Sequence, residues 1–215
     1  MTFQRRGTGR REDLVEAATA IVRDSGFGAA SVKAVTARAG MSTGLLYRYA
    51  DGLDDVLAEV FRRCAGVEMA AVDQAVTAVA SADATSRLVA LIETFADRAL
   101  RGGRLAWALL AEPVDRIVDD ERLIYRRGYV GILTEIVTDG VRSGEFPLQN
   151  ARLTAAGLVG AIGEALAGPL APVSAEHDDS DAVVEAITAL CLRAVGARCD
   201  PPSSAHGLSG EEPGP

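Results

Sequence analysis

The chain has 215 residues, of which 48% are hydrophobic and 24% charged, for a formal net charge of −8; this suits one compact subunit with a sizeable core. Cys64, Cys191 and Cys199 are widely spaced and form no CxxC, and His177 and His206 are remote in sequence, so no disulfide framework, metal site or cofactor is expected. No apolar run reaches the roughly 18 residues of a membrane span, and the start, MTFQRRGTGRRED, has no apolar signal core, so a cytoplasmic protein without a membrane partner is expected.

Residues 1–9 read as a flexible basic arm, able to touch phosphates or a minor groove or simply to be a disordered terminus. Leu14, Ala17, Ala18, Ile21 and Val22 then follow the spacing of a core-facing helix, and Gly26 ends it. Residues 31–49, SVKAVTARAGMSTGLLYRY, predict two short helices joined by a tight turn. Ser31 can cap the first, whose apolar face is Val32, Val35 and Ala39. Gly40 supplies a left-handed residue, and Ser42 can cap the second helix, whose inner side is Leu46. This is a helix-turn-helix, which places a short helix in the DNA major groove. A fourth helix begins near Leu53 and carries Val56, Leu57, Val60 and Phe61.

Charge supports the same partner. Residues 1–50 hold eight basic against four acidic side chains, or +4, while the rest holds 14 against 26, or −12. A basic head on an acidic body fits contact with double-stranded DNA through one end.

Residues 11–60 resemble the amino-terminal domain of TetR-type transcriptional regulators. The resemblance rests on Ala17-Ala18, Ser25-Gly26-Phe27, Ser31-Val32, Ala39-Gly40-Met41-Ser42, Gly44 and Leu46-Tyr47, in fixed order over about fifty residues. It implies an all-α homodimer whose head binds an operator and whose larger body binds a small-molecule effector. The chain departs from the family at Ala50, where an aromatic residue is usual, and at Leu53, where a lysine commonly supports a phosphate contact. Operator affinity is therefore expected to rest more on arginines.

Within the second helix of the motif, Thr43, Gly44, Leu45, Arg48 and Tyr49 point away from Leu46 and toward the groove. Arg48 can grip a guanine edge with two hydrogen bonds or clamp a phosphate. Leu45 can meet a thymine methyl or pack inward. Tyr47 matches the family tyrosine that donates to phosphate. Ser31, Lys33, Arg38 and Ser42 complete the expected DNA-binding set, with Lys33 and Arg38 on phosphates.

The fourth helix runs on toward Val79, and Ser81 to Thr85 is a polar break. Leu88, Leu91, Ile92, Phe95 and Ala99 make the next amphipathic helix, ended by Gly102-Gly103. A short helix, Leu105 to Ala111, stops before Pro113. A long helix then ends at Ser143, with Ile117, Leu123, Ile124, Ile132, Leu133, Ile136, Val137 and Val141 as its apolar residues. Phe61, Phe95, Arg98, Trp107, Glu112, Tyr125 and Tyr129 are candidate lining of an effector cavity. Arg126 and Arg127 either meet an anionic ligand group or pair on the surface with Asp119, Asp120 and Glu121, and surface pairing is the favoured reading.

Helices at 151–166 and 181–195 close the body. Gly157, Gly160 and Gly163 leave the first of them nearly flat. They form the expected dimer interface with Val159, Ile187 and Leu190, and two such helices from each subunit make a four-helix bundle. The organisation is thus an arm at 1–9, a DNA-binding domain at 10–52, a ligand-binding and dimerisation domain at 53–199 and a disordered tail at 200–215. Nucleophile motifs, phosphate-cradling glycine loops and HExxH are absent, so no enzymatic activity is expected. The function predicted is a ligand-responsive repressor, released from a palindromic operator by a small, largely apolar molecule. The competing readings are a helical small-molecule-binding protein and a DNA-organising protein without ligand control.

Overall fold

The computed structural model describes residues 2–172 and 179–197, with side chains from residue 9 onward. His177, Cys199, His206 and the tail at 200–215 lie outside these residues. The fold is all helical, as expected: α1 (Thr2–Ser25), a 3₁₀ turn (Phe27–Ala29), α2 (Val32–Arg38), α3 (Thr43–Tyr49), α4 (Leu53–Ala78), α5 (Ala84–Leu110), α6 (Arg116–Ser143), α7 (Ala151–Leu170) and α8 (Ser180–Val195). Residues 2–9, expected as an arm, continue α1 as helix.

Local chemistry sets most boundaries. Ser31 caps α2, its hydroxyl accepting from the Ala34 N–H at 3.2 Å. Gly40 adopts φ +64 in the turn, a conformation costly for any residue with a Cβ. Ser42 occupies the N-cap position of α3 but makes no side-chain capping bond. The paired Gly102-Gly103 does not end α5. Gly103 takes φ 48, ψ −119, and the helix kinks there and resumes to Leu110. Gly144, left-handed at φ 82, stops α6, and the chain doubles back so that Phe146 is buried against Gly140. A Cβ at Gly140 would fall inside the Phe146 ring. Gly140→Ala is therefore expected to destabilise the protein by about 1–3 kcal/mol through overpacking, read as a lower urea midpoint at unchanged slope.

Two cores form. The body core gathers Val72, Leu88, Leu91, Ile92, Leu133, Ile136, Val137, Phe146, Leu158, Ile162, Leu166, Ile187 and Cys191 from α4 to α8. The head core gathers Leu14, Val15, Ala18, Val22, Phe27, Val35 and Leu46, and it extends past residue 52 to take Val56, Leu57, Val60, Phe61 and Cys64 of α4 with Ala108, Leu109 and Val118 of the body. Expected apolar positions near the start of α6 are partly outside either core: Ile117, Leu123 and Ile124 are exposed. The first half of α6 packs through Val118 and Tyr125 against the head core, and the second half through Leu133, Ile136 and Val137 in the body core.

α7 is long and apolar enough by composition to cross a membrane, with a mean hydropathy of 1.4 over its best window, although no such run was expected. It carries Arg152 and Glu164, and Leu158, Ile162 and Leu166 are packed into the body core.

Candidate DNA-binding surface and effector cavity

The short helices α2 and α3 carry the candidate DNA-binding surface. Leu46 is fully buried, and Leu45 and Tyr49 are half-buried against the head core. Thr43, Gly44, Tyr47 and Arg48 are exposed, Tyr47 at 65%. The outward face of α3 is thus 43, 44, 47 and 48. Leu45 and Tyr49, read as groove-facing, lie at its edge because their side chains complete the core. The Arg48 guanidinium sits 6.0 Å from the Tyr49 ring centroid, a loose cation–π contact that orients it without consuming its donors.

Among the head's basic residues the structure separates free from engaged. Arg11 donates to both oxygens of Asp55 at 3.0 and 3.1 Å, joining α1 to α4. Arg38 lies 3.8 Å from Asp24, a distant and exposed pair. Lys33 and Arg48 are exposed and take part in none of the ion pairs found among the described residues. Ser31, Ser42 and Lys33 are exposed on the same head.

The body holds a cavity of about 340 Å³ among α4, α5, α6 and α7. Four expected residues line it: Phe95, Arg98, Tyr125 and Tyr129. Phe95 and Tyr129 meet edge to face at 5.1 Å between centroids. Arg98 donates to Glu68 at 2.6 and 3.1 Å, and this bidentate pair joins Arg122, Arg126 and Glu164 as the charged part of the lining. Burial pushes the Tyr129 and Tyr125 hydroxyls above the ordinary phenol range, so both stay neutral. The Tyr125 hydroxyl donates to the Arg62 carbonyl at 2.8 Å.

Three expected lining residues lie elsewhere. Phe61 is buried in the head core, between Phe27 at 6.2 Å and Tyr125 at 5.9 Å. Trp107 packs against the body core. Glu112 is buried, and its carboxylate accepts from the backbone N–H groups of Phe27 at 2.9 Å and Gly28 at 3.1 Å. It supplies the cap that Gly26 cannot, satisfying the orphan donors of the 3₁₀ turn. Most of the remaining lining is small or aliphatic, including Ala65, Val72, Ala99, Ala106 and Leu109. Sequence reading missed these because a void is made by what is short.

Arg126 and Arg127 do not make the expected surface pairs. Asp119, Asp120 and Glu121 are taken by Arg122, Arg116 and Arg62. Arg126 instead lines the cavity. Arg122 is more structural. It donates to the carbonyls of Leu109, Ala108 and Glu112 at 2.9, 3.2 and 2.9 Å, closing the carboxyl end of α5.

One short segment serves both sites. After the Gly103 kink, Leu105, Ala106, Leu109 and Leu110 line the cavity. The flanking Arg104 and Glu112 bind the head, Arg104 through the Ser25 carbonyl at 2.7 Å.

On the expected dimer face, Gly157 and Gly160 have open space where a Cβ would stand. Leu153 is 71% exposed and Leu190 42%. Gly163 faces Arg126, Val159 lines the cavity, and Ile187 is buried in its own subunit. Of the expected residues, Gly157, Gly160 and Leu190 thus lie on the open side of the subunit, and Gly163, Val159 and Ile187 face inward.

Residues 14–60 match the bacterial regulatory proteins of the tetR family. No curated protein matches the chain significantly in sequence. Solved structures share the fold. The transcriptional regulator FadR from Bacillus subtilis, in complex with stearoyl-CoA, is 20% identical with a TM-score of 0.71, over 86% of this chain and 98% of that one. RolR in complex with resorcinol is 17% identical with a TM-score of 0.68, over 91% of each chain. AibR with isovaleryl coenzyme A and operator DNA is 15% identical with a TM-score of 0.64, over 84% of this chain and 97% of that one.

Proposed function

We propose, starting from the match of residues 14–60 to the tetR family of bacterial regulatory proteins, that this chain is a cytoplasmic, homodimeric repressor released from a palindromic operator by a small, largely apolar effector. The observation that carries this reading is the 104–112 segment, one face of which lines the cavity while its ends hold the head. A ligand that displaces Leu105 or Leu109 moves Glu112, and with it the Phe27 turn at the end of α1. Ligand and DNA then favour different settings of the heads, and the coupling is reciprocal.

The effector reading rests on a largely apolar wall that also carries the Arg98–Glu68 pair, Arg122, Arg126 and Glu164, and is supported by related folds that hold acyl thioesters or a phenol. A panel of lipophilic carboxylates, phenols and acyl thioesters, scored by thermal shift and by release of DNA, tests it. Ala106→Phe is expected to fill the cavity, removing the shift while operator binding persists; an undiminished shift would place the ligand elsewhere.

The DNA reading rests on the outward face of α3. Arg48→Ala is expected to cost about 1–3 kcal/mol and to relax preference at one base pair per half-site. Tyr47→Phe should weaken all sequences alike. Binding curves on a selected operator and its single-base variants check both. Unchanged affinity of Arg48→Ala on every variant would remove α3 from the groove.

The dimer reading rests on α7, of whose most apolar window only 28% is buried within the subunit. An apolar helix left this open marks an interface, and two-fold symmetry matches a palindrome with half-sites about one helical turn apart.

A further inference from the structure

A second concavity, of about 420 Å³, lies between α5 and α8 on the side of the body away from the effector cavity's lining. Two carboxylates four residues apart on each helix line it: Glu93 and Asp97 on α5, Asp181 and Glu185 on α8. Like charges at that spacing repel. Asp97 is engaged by Arg101 at 2.8 Å, whereas Glu93, Asp181 and Glu185 form no ion pair among the described residues.

Thr188 lines the same groove, is only 8% exposed, and its buried hydroxyl oxygen has no hydrogen-bond partner among the described residues. Four other helical threonines satisfy this group within their own helix. Thr19, Thr36, Thr134 and Thr138 each donate to the carbonyl four residues earlier at 2.6–2.7 Å, the usual refuge of such a group. A buried hydroxyl without a partner calls for an explanation.

We infer that this groove is a binding site for a linear polyamine. The carboxylates are spread along two helices, and no group of three or more potential ligands among the described residues converges on a point where a metal ion would sit. Separated anions over an apolar floor of Val184, Ala189 and Leu192 suit separated ammonium groups joined by methylenes. One ammonium donates to the Thr188 hydroxyl, and the others pair with Glu93 and Glu185. The site is independent of the effector cavity.

The test is calorimetry of the full-length protein with spermidine, repeated with magnesium chloride. Saturable binding near one spermidine per chain is expected, with no comparable magnesium site. Affinity should fall about tenfold in Glu93→Gln/Glu185→Gln and measurably in Thr188→Val, but not in Asp54→Asn/Asp73→Asn, which removes as much charge from exposed positions elsewhere. Circular dichroism of each variant establishes that it is folded. Absence of saturable binding, magnesium binding of equal strength, or spermidine affinity that ignores the groove substitutions overturns the assignment.

Discussion

Gly160→Arg is expected to split the dimer and reduce operator affinity by about 10²–10⁴-fold, the loss that follows when two linked half-site contacts become independent. The structure makes this a clean substitution. A Cβ at Gly160 meets no heavy atom within 4 Å in the subunit, so the side chain is accommodated in the monomer and obstructs only what covers α7 from outside. The head should stay folded, since its core lies far along the chain from α7. Sedimentation gives the mass and circular dichroism the fold. A variant that sediments as an intact dimer and still binds DNA would take this face of α7 out of the interface, and with it the account of how two heads are held in register.

Glu112→Ala should produce the second large effect. It leaves the Phe27 and Gly28 N–H groups without their acceptor, at a cost on the order of 3 kcal/mol for two poorly solvated donors. More informative than the lower melting temperature is its location. Amide exchange should accelerate selectively at Phe27 and Gly28, while protection in the body core is retained. Effector should still bind but release DNA less completely, because Arg104 alone then ties the segment to α1. Unaltered exchange at both amides would show that the head is set by other contacts, such as the Arg63–Glu12 and Arg62–Glu121 pairs that brace α4.

What was legible in the sequence was local. Ser31 as cap, Gly40 as turn and Leu46 as inner residue depend on neighbours a few positions away, and the helix limits follow from similar signals. The α5 break at Gly103 was legible as an interruption, though not as a kink within one helix, because only packing decides whether a chain resumes its axis. Glu112 was noticed as a polar residue near aromatics and assigned to the cavity. Its partners lie 84 and 85 residues earlier, and no periodicity reports a contact of that span. Trp107 and Phe61 attracted attention by size, yet bulky side chains fill space and the cavity wall is largely alanine, leucine and valine. Arg126 was placed on the surface because acidic neighbours abound. Those neighbours are claimed by Arg116, Arg122 and Arg62, a competition settled only in three dimensions.

The head core's reach beyond residue 52 bears on how such a protein can be recombined. A cut at that boundary would strip the reading helices of Val56, Leu57, Val60 and Phe61, and would leave Ala108, Leu109 and Val118 facing water. The transplantable unit is not a contiguous stretch of sequence. It comprises α1 to α3, the first three turns of α4, and a patch near residues 108–118 that arrives with the body. A hybrid built from two relatives would inherit a mismatched seam where α5 meets the Phe27 turn. Changes in the body are thereby constrained by the head, and the two are free to drift only as a matched pair.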